Sequence, residues 1–201
     1  MKLTIPNQLT ILRIILTPVF LFYFLKESTT SQAIATVIYF IASFTDWYDG
    51  WYARQFGVIT RWGQFMDPFA DKLLVSSALF SFAWMNYVMW WMVWIIVLRD
   101  VLVTLVRVYA LQKGTPIVTS AVAKWKTFSQ MVVIAMILAY INWLNFAGPG
   151  SQTYHAKYFD IIGISMSLVT LLTLISAVFY FMENNRLIWR MVKSAFAVFN
   201  Q

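Results

Sequence analysis

The chain has 201 residues, 61% of them hydrophobic and only 11% charged. A soluble domain would carry about a quarter charged residues, so this composition excludes an ordinary soluble fold. With a mean hydropathy of +0.69, it points to an all-α integral membrane protein. There is no cysteine, so disulfides play no part. In a membrane protein the net charge of +7 points to cytoplasmic loops, anionic lipid headgroups or phosphorylated substrates, and not to nucleic acid.

A spanning helix needs about 20 mainly apolar residues. Six segments meet this pattern, at roughly 8–25, 33–54, 62–84, 89–112, 122–145 and 158–182. They predict one membrane domain over 1–182. A basic tail over 183–201 could lie along an anionic surface as a short helix. No small-residue cleavage site follows the first apolar run, so no cleaved signal peptide is expected. The uncharged run from Leu73 to Leu98 is too long for one span, and Trp84 to Tyr87 is the expected turn. With six spans, twelve basic residues from Lys2 to Lys193 fall on one side. Lys26 and Lys157 fall on the other, with Arg99 inside the fourth span. By the positive-inside rule both termini are then cytoplasmic, and Trp84, Trp90, Trp91 and Trp143 belong near the opposite interface.

In the first segment, IPNQLTILRIILTP, the residues Asn7, Thr10 and Arg13 recur at three-residue spacing and could share a helical face. A cap followed by a snorkelling Arg is the plainer reading of the same pattern. The second and third segments meet at TDWYDGWYARQFGVITRWGQFMDPFADK, Thr45 to Lys72, which holds Asp46, Asp49, Asp67 and Asp71 among the eight acidic residues of the chain. Asp46, Asp49, Gly50, Ala53 and Arg54 form one helical stripe. Gly63, Asp67 and Asp71 form another. A short connection near 55–60 would return the second helix antiparallel and could bring the stripes face to face. A charged Asp costs about 2.5 to 3.5 kcal/mol at the centre of a membrane helix, and four facing carboxylates also repel. Divalent cations would satisfy them. Carboxylate oxygens suit Mg2+, Mn2+ or Ca2+, and a two-metal site can activate phosphoryl transfer.

The fourth and fifth segments, with LRDVLVTLVRVYALQKGTPIVTSAVAKWKTFSQ from Leu98 to Gln130, are the second informative stretch. Arg99 and Asp100 are intramembrane charges, and Arg107 shares a face with Arg99. Gly114, Thr115 and Pro116 break the helix. Ser120 and Lys124 then stand one turn apart, with Lys126 and Thr127 beyond. Arg107, Ser120 and Lys124 suit a phosphate, since Arg and Lys pair with it and Ser donates to it. Ordinary loop charge is the competing reading, strongest for Lys113 and next for Lys126.

The pattern D-x-x-D-G-x-x-A-R, eight residues, then G-x-x-x-D-x-x-x-D resembles, at all eight fixed positions, the signature of the CDP-alcohol phosphotransferase family. The N-terminal stretch, DPFADKLL at 67–74, the Arg-acid pair at 99–100, Arg107 and KWKTFSQ at 124–130 resemble the family's phosphatidylglycerophosphate synthase branch. Asp100 departs from it, since Glu is more usual there. The resemblance implies transfer of a phosphatidyl group from CDP-diacylglycerol to sn-glycerol 3-phosphate, with release of CMP, by a homodimer in a bacterial cytoplasmic membrane. It implies two Mg2+ or Mn2+ ions on Asp46, Asp49, Asp67 and Asp71, with Asp71 also the general base. It places Asn7, Thr10, Gly50, Ala53, Arg54 and Gly63 at the CDP-lipid. Arg13, Arg99, Arg107, Ser120, Lys124 and Lys126 fall to the acceptor phosphate. A cardiolipin synthase of the same family, with phosphatidylglycerol as acceptor, is the alternative. A divalent-cation transporter is the alternative from another class. Against it stand the position of the acids near one face, Arg54 and the absence of paired broken helices at mid-membrane.

Overall fold

The computed structural model describes residues 4–26, 28–57, 61–113, 121–147, 158–185, 188, 189 and 191. Within them the chain forms α1 (Ile5–Phe24), α2 (Thr29–Phe56), α3 (Arg61–Trp84), α4 (Trp90–Gln112), α5 (Ala121–Phe146) and α6 (Ile161–Glu183). Each matches a predicted segment within a few residues. α1 starts earlier than the apolar run because Pro6 sits in the first turn, where its missing N–H costs nothing. α6 starts later, at the N-cap Asp160, whose carboxylate accepts from Gly163 N at 2.7 Å.

The turns are built from local chemistry. α2 stops at Gly57, which takes the left-handed conformation at φ 63°. α3 ends in a Schellman motif, with Asn86 at φ 58°, Tyr87 N on Phe82 O at 2.8 Å and Asn86 N on Ala83 O at 3.1 Å. That places the turn where Trp84 to Tyr87 predicted it.

The bundle has two unlike halves. One end is a close-packed apolar core from the C-terminal half of α1, the start of α2, the end of α3, the start of α4, the end of α5 and the start of α6. Phe24 stands 5.4 Å from both Phe20 and Phe82 there. At the other end α1, α2, α4, α5 and α6 bury Thr10, Arg13, Asp49, Arg99, Asp100, Lys126, Gln130 and Ser176. α1 lies against both α2 and α3, while α2 and α3 touch each other little; α6 packs on α4 and α5. Two interhelical bonds tie α2 to α5, Asn142 to Thr36 at 2.8 Å and Asn145 to Gln32 at 2.6 Å.

Among the described residues, three helices are long and apolar enough to cross a membrane: α1, α5 over Ala123–Phe146, and α6. α2, α3 and α4 have 28, 24 and 23 residues. They carry the charges of both informative stretches, which lower their hydropathy. The outer surface is apolar, with Phe44, Trp47, Leu102 and Leu171 exposed. Trp84, Trp90, Trp91 and Trp143 are exposed at the end away from the buried charges. Of the tail, Ile188 and Met191 pack against Val103, Val106 and Tyr180; most of 183–201 lies outside the described residues.

Candidate active site

The acidic stripe of α2 does not face α3 directly. α1 comes between them. Arg13, mid-way along α1 and fully buried, points Nη2 at Asp49 Oδ2 at 2.6 Å. Its Nη1 lies 2.5 Å from Asp46 Oδ1 as an ion pair outside hydrogen-bond alignment. One turn earlier, Thr10 Oγ1 donates to Asp67 Oδ1 on α3 at 2.5 Å, with Pro6 O at 3.0 Å as the competing acceptor. Asn7 is buried another turn back. The spacing that put Asn7, Thr10 and Arg13 on one face is therefore a face turned into the acids. A guanidinium suits this place because its planar fork can serve two carboxylates at once. On α3, Asp71 pairs with its neighbour Lys72 at 3.0 Å. Pro68, inside α3, leaves a backbone carbonyl one turn back without its helical partner beside Asp67.

A cavity of about 510 Å3 opens between these acids and the basic stretch. Asp46, Asp67 and Asp71 border it from α2 and α3, with Pro68 and Lys72. Arg99, Asp100, Val103, Thr104 and Arg107 border it from α4, and Ala123, Lys124, Thr127, Phe128 and Met131 from α5. The cavity is thus bipolar, with an acidic wall and a basic wall. Phe128 and Met131 give it an apolar flank.

The basic wall rests on a buried network. Asp100 Oδ1 accepts from Lys126 Nζ at 2.5 Å and from Arg99 Nη1 at 3.1 Å. Lys126 Nζ also reaches Gln130 Oε1 at 2.5 Å, and Arg99 Nη2 donates to Ser176 Oγ on α6 at 2.5 Å. Three helices are joined through one carboxylate.

The structure brings several of the predicted site residues together and sets others apart. Asp46, Asp67, Asp71, Arg99, Arg107 and Lys124 share the cavity. Asp49 is 5% exposed and turned to Arg13. Arg13, expected at the acceptor phosphate, lies instead among the acids and away from the basic wall, because α1 packs between α2 and α3. Lys126, also expected there, is 1% exposed and turned to Asp100 and Gln130, off the cavity. Gly50 and Ala53 are partly buried on the acidic stripe, and Gly63 is buried. The side chain of Arg54, and Ser120 altogether, lie outside the described residues. Sequence reasoning gave no site role to Lys72, Asp100, Gln130 or Ser176. Asp100 was findable as the acidic residue of α4 and α5, obliged to have a cation. Ser176 had no signal, being one hydroxyl among several on α6.

As placed, no three acidic side chains among the described residues converge closely enough to hold an ion. Arg13, Thr10 and Lys72 draw them to separate partners. The donor set nonetheless fits a hard divalent cation, since three carboxylates border one cavity and a fourth stands one turn away on α2.

The family model described as CDP-alcohol phosphatidyltransferase matches residues 3–175. The chain belongs to this family. It is 28% identical over 203 residues, 95% of this chain and 98% of the relative, to the CDP-diacylglycerol–glycerol-3-phosphate 3-phosphatidyltransferase of Bacillus subtilis (strain 168). A protein of the same name from Haemophilus influenzae is 37% identical over 152 residues, 73% of this chain and 82% of its own. One from Escherichia coli (strain K12) is 35% identical over 154 residues, 74% and 84% of the two chains. The match spans both walls of the cavity, so this CDP-alcohol phosphatidyltransferase carries its signature acids and its basic stretch in one matched region.

Proposed function

We propose that this chain transfers the phosphatidyl group of CDP-diacylglycerol to sn-glycerol 3-phosphate, giving phosphatidylglycerophosphate and CMP. One observation carries this reading. Three of the four signature acids, Asp46, Asp67 and Asp71, border the same cavity as Arg107 and Lys124. A phosphorylated acceptor needs that second, cationic wall, and the relatives named for glycerol 3-phosphate agree with it.

Two Mg2+ or Mn2+ ions on Asp46, Asp49, Asp67 and Asp71 would supply Lewis acidity at the pyrophosphate and neutralise the leaving CMP. Arg13 and Thr10 hold the carboxylates of Asp46, Asp49 and Asp67 in place. Arg107 and Lys124 take the acceptor's phosphate and present its free hydroxyl to the acidic wall. Asp71 accepts the proton of that hydroxyl as its oxygen attacks the lipid-bearing phosphorus. The P–O bond to CMP breaks, and CMP leaves with the bridging oxygen. Gly50, Ala53 and Gly63 leave room for the nucleotide, and Arg54 pairs with a CDP phosphate. Phe128 and Met131 suit the lipid side of the cavity.

Our reading has six spans in a bacterial cytoplasmic membrane, with the site and both termini cytoplasmic and a homodimer as the working assembly. The charge asymmetry and the tryptophans at the far end support the orientation. An acceptor panel tests the reaction. Purified protein with CDP-diacylglycerol and Mg2+ or Mn2+ should release CMP with glycerol 3-phosphate, and not with serine or inositol phosphate. Release only with phosphatidylglycerol would make it a cardiolipin synthase and the basic wall something other than a phosphate site. Asp67-dependent metal uptake into vesicles without CMP release would make it a transporter.

A further inference from the structure

We propose that Lys126 tunes the anion affinity of the basic wall without touching the anion: it shares the Asp100 carboxylate with Arg99 and so leaves more of the charge of Arg99, tethered by Ser176, to act on phosphate. Lys126, Asp100 and Ser176 are then positioning residues that act through Arg99. The inference rests on the reading above only in taking that anion to be the acceptor's phosphate.

Asp100 poses the problem. It is the acidic residue of α4 and α5, and it borders the cavity next to Arg99. A carboxylate within 3.1 Å of a guanidinium competes with phosphate for that cation. Lys126 relieves the competition. Its Nζ stands 2.5 Å from the same Asp100 oxygen, closer than Arg99 does. Coulomb attraction rises as separation falls, so the nearer ammonium takes the larger share of the carboxylate's charge and weakens its hold on Arg99. Gln130 Oε1 holds the ammonium from the other side at 2.5 Å. Lys124 and Thr127 border the cavity on either side of Lys126 in sequence, but Lys126 does not. Arg99 keeps its second arm on Ser176 of α6. Buried ion pairs add little net stability over apolar packing, so the place of this one beside a cationic wall is better explained by the charge it removes. With Asp100 shared in this way, Arg99 adds its charge to the wall that Arg107 and Lys124 also border.

The test uses the full-length purified chain, titrated calorimetrically with inorganic phosphate and with sn-glycerol 3-phosphate, alongside KM for both substrates. Lys126→Met returns the Asp100 charge to Arg99. Both anions should then bind about tenfold more weakly, the scale of one lost charge-assisted hydrogen bond. KM for CDP-diacylglycerol should stay within about twofold of the parent value. The double variant Asp100→Asn with Lys126→Met removes both charges and keeps an acceptor oxygen for Arg99, so anion binding should recover. A double variant as weak as Lys126→Met would place Lys126 on the anion itself and overturn the proposal, as would unchanged binding in Lys126→Met. Should Lys126→Met not fold, Ser176→Ala carries the test. Loss of the tether should weaken phosphate binding severalfold without moving KM for CDP-diacylglycerol, and unchanged phosphate binding would overturn the role of Arg99. A parent chain that binds phosphate yet does not turn over glycerol 3-phosphate would sink the proposed reaction and leave this inference standing. A parent chain that binds neither anion would sink the inference.

Discussion

Arg13 and Asp67 reach the acidic wall from helices that the signature motif does not pair with each other. Arg13 holds two carboxylates while fully buried, so Arg13→Leu leaves buried Asp49 without its cation and takes the same cation from Asp46 at the cavity edge. Breaking a buried ion pair from one side costs about 3 to 5 kcal/mol. The melting temperature of detergent-purified Arg13→Leu should fall accordingly in chelator. Millimolar Mn2+ should recover part of the loss, since a divalent ion can neutralise the same acids. A melting temperature indifferent to Mn2+ would count against a metal at Asp46 and Asp49. Asp67 presents the complementary case. It borders the cavity and accepts from Thr10, and among the described residues no cation pairs with it. Asp67→Asn keeps the Thr10 contact and the shape, and removes the charge. Turnover should drop about a hundredfold or more, the scale for loss of one preorganised electrostatic group. Membrane insertion and melting temperature should change little. Retained CMP release would remove Asp67 from the metal set.

At the scale of elements, the site depends on how α2 turns into α3 and how α1 wedges against both. The stop of α2 at Gly57 uses a left-handed backbone, at φ 63°. A Cβ built there meets nothing within 4 Å. The penalty of Gly57→Ala is therefore conformational and not steric, about 1 kcal/mol. Chemical denaturation should show that loss, while KM for either substrate should hold. A much larger loss, or a change in KM, would mean the turn shapes the site directly. The α2–α5 bonds through Asn142 and Asn145 lie in the other half of the bundle. Membrane interhelical hydrogen bonds average about 0.6 kcal/mol, so these act as register marks between helices more than as a source of stability.

The whole molecule has an apolar end and a charged end, and the bilayer explains why both can coexist. Apolar side chains face outward along all six helices, so charge is concentrated inside one half, where helices can satisfy it. A chain with no cysteine is ready for topology mapping by single substitutions. Asn86 lies in the α3–α4 turn and Lys113 at the end of α4, and both are exposed. In intact spheroplasts an impermeant maleimide should label Asn86→Cys and should label Lys113→Cys only after permeabilisation. The reverse pattern would invert the protein, and labelling of both from outside would remove the span assigned to α4.

Six helices, their turns and the placement of the acids at one end are legible in the sequence because those signals are local. Apolar runs set the helices, the connection near 55–60 and the Trp84–Tyr87 segment mark turns, and i, i+3, i+4 spacing puts Asp46 and Asp49 on one face. The partners of the charges are not local. Arg13 and Asp49 are 36 residues apart, Thr10 and Asp67 57, and Arg99 and Ser176 77. Spacing on one helix says which way a side chain points but not which helix it meets. That Arg13 belongs to the acids, and that Lys126 is spent on Asp100, followed from packing: α1 fills the groove between α2 and α3, and a buried cation takes the carboxylate that packing brings within reach.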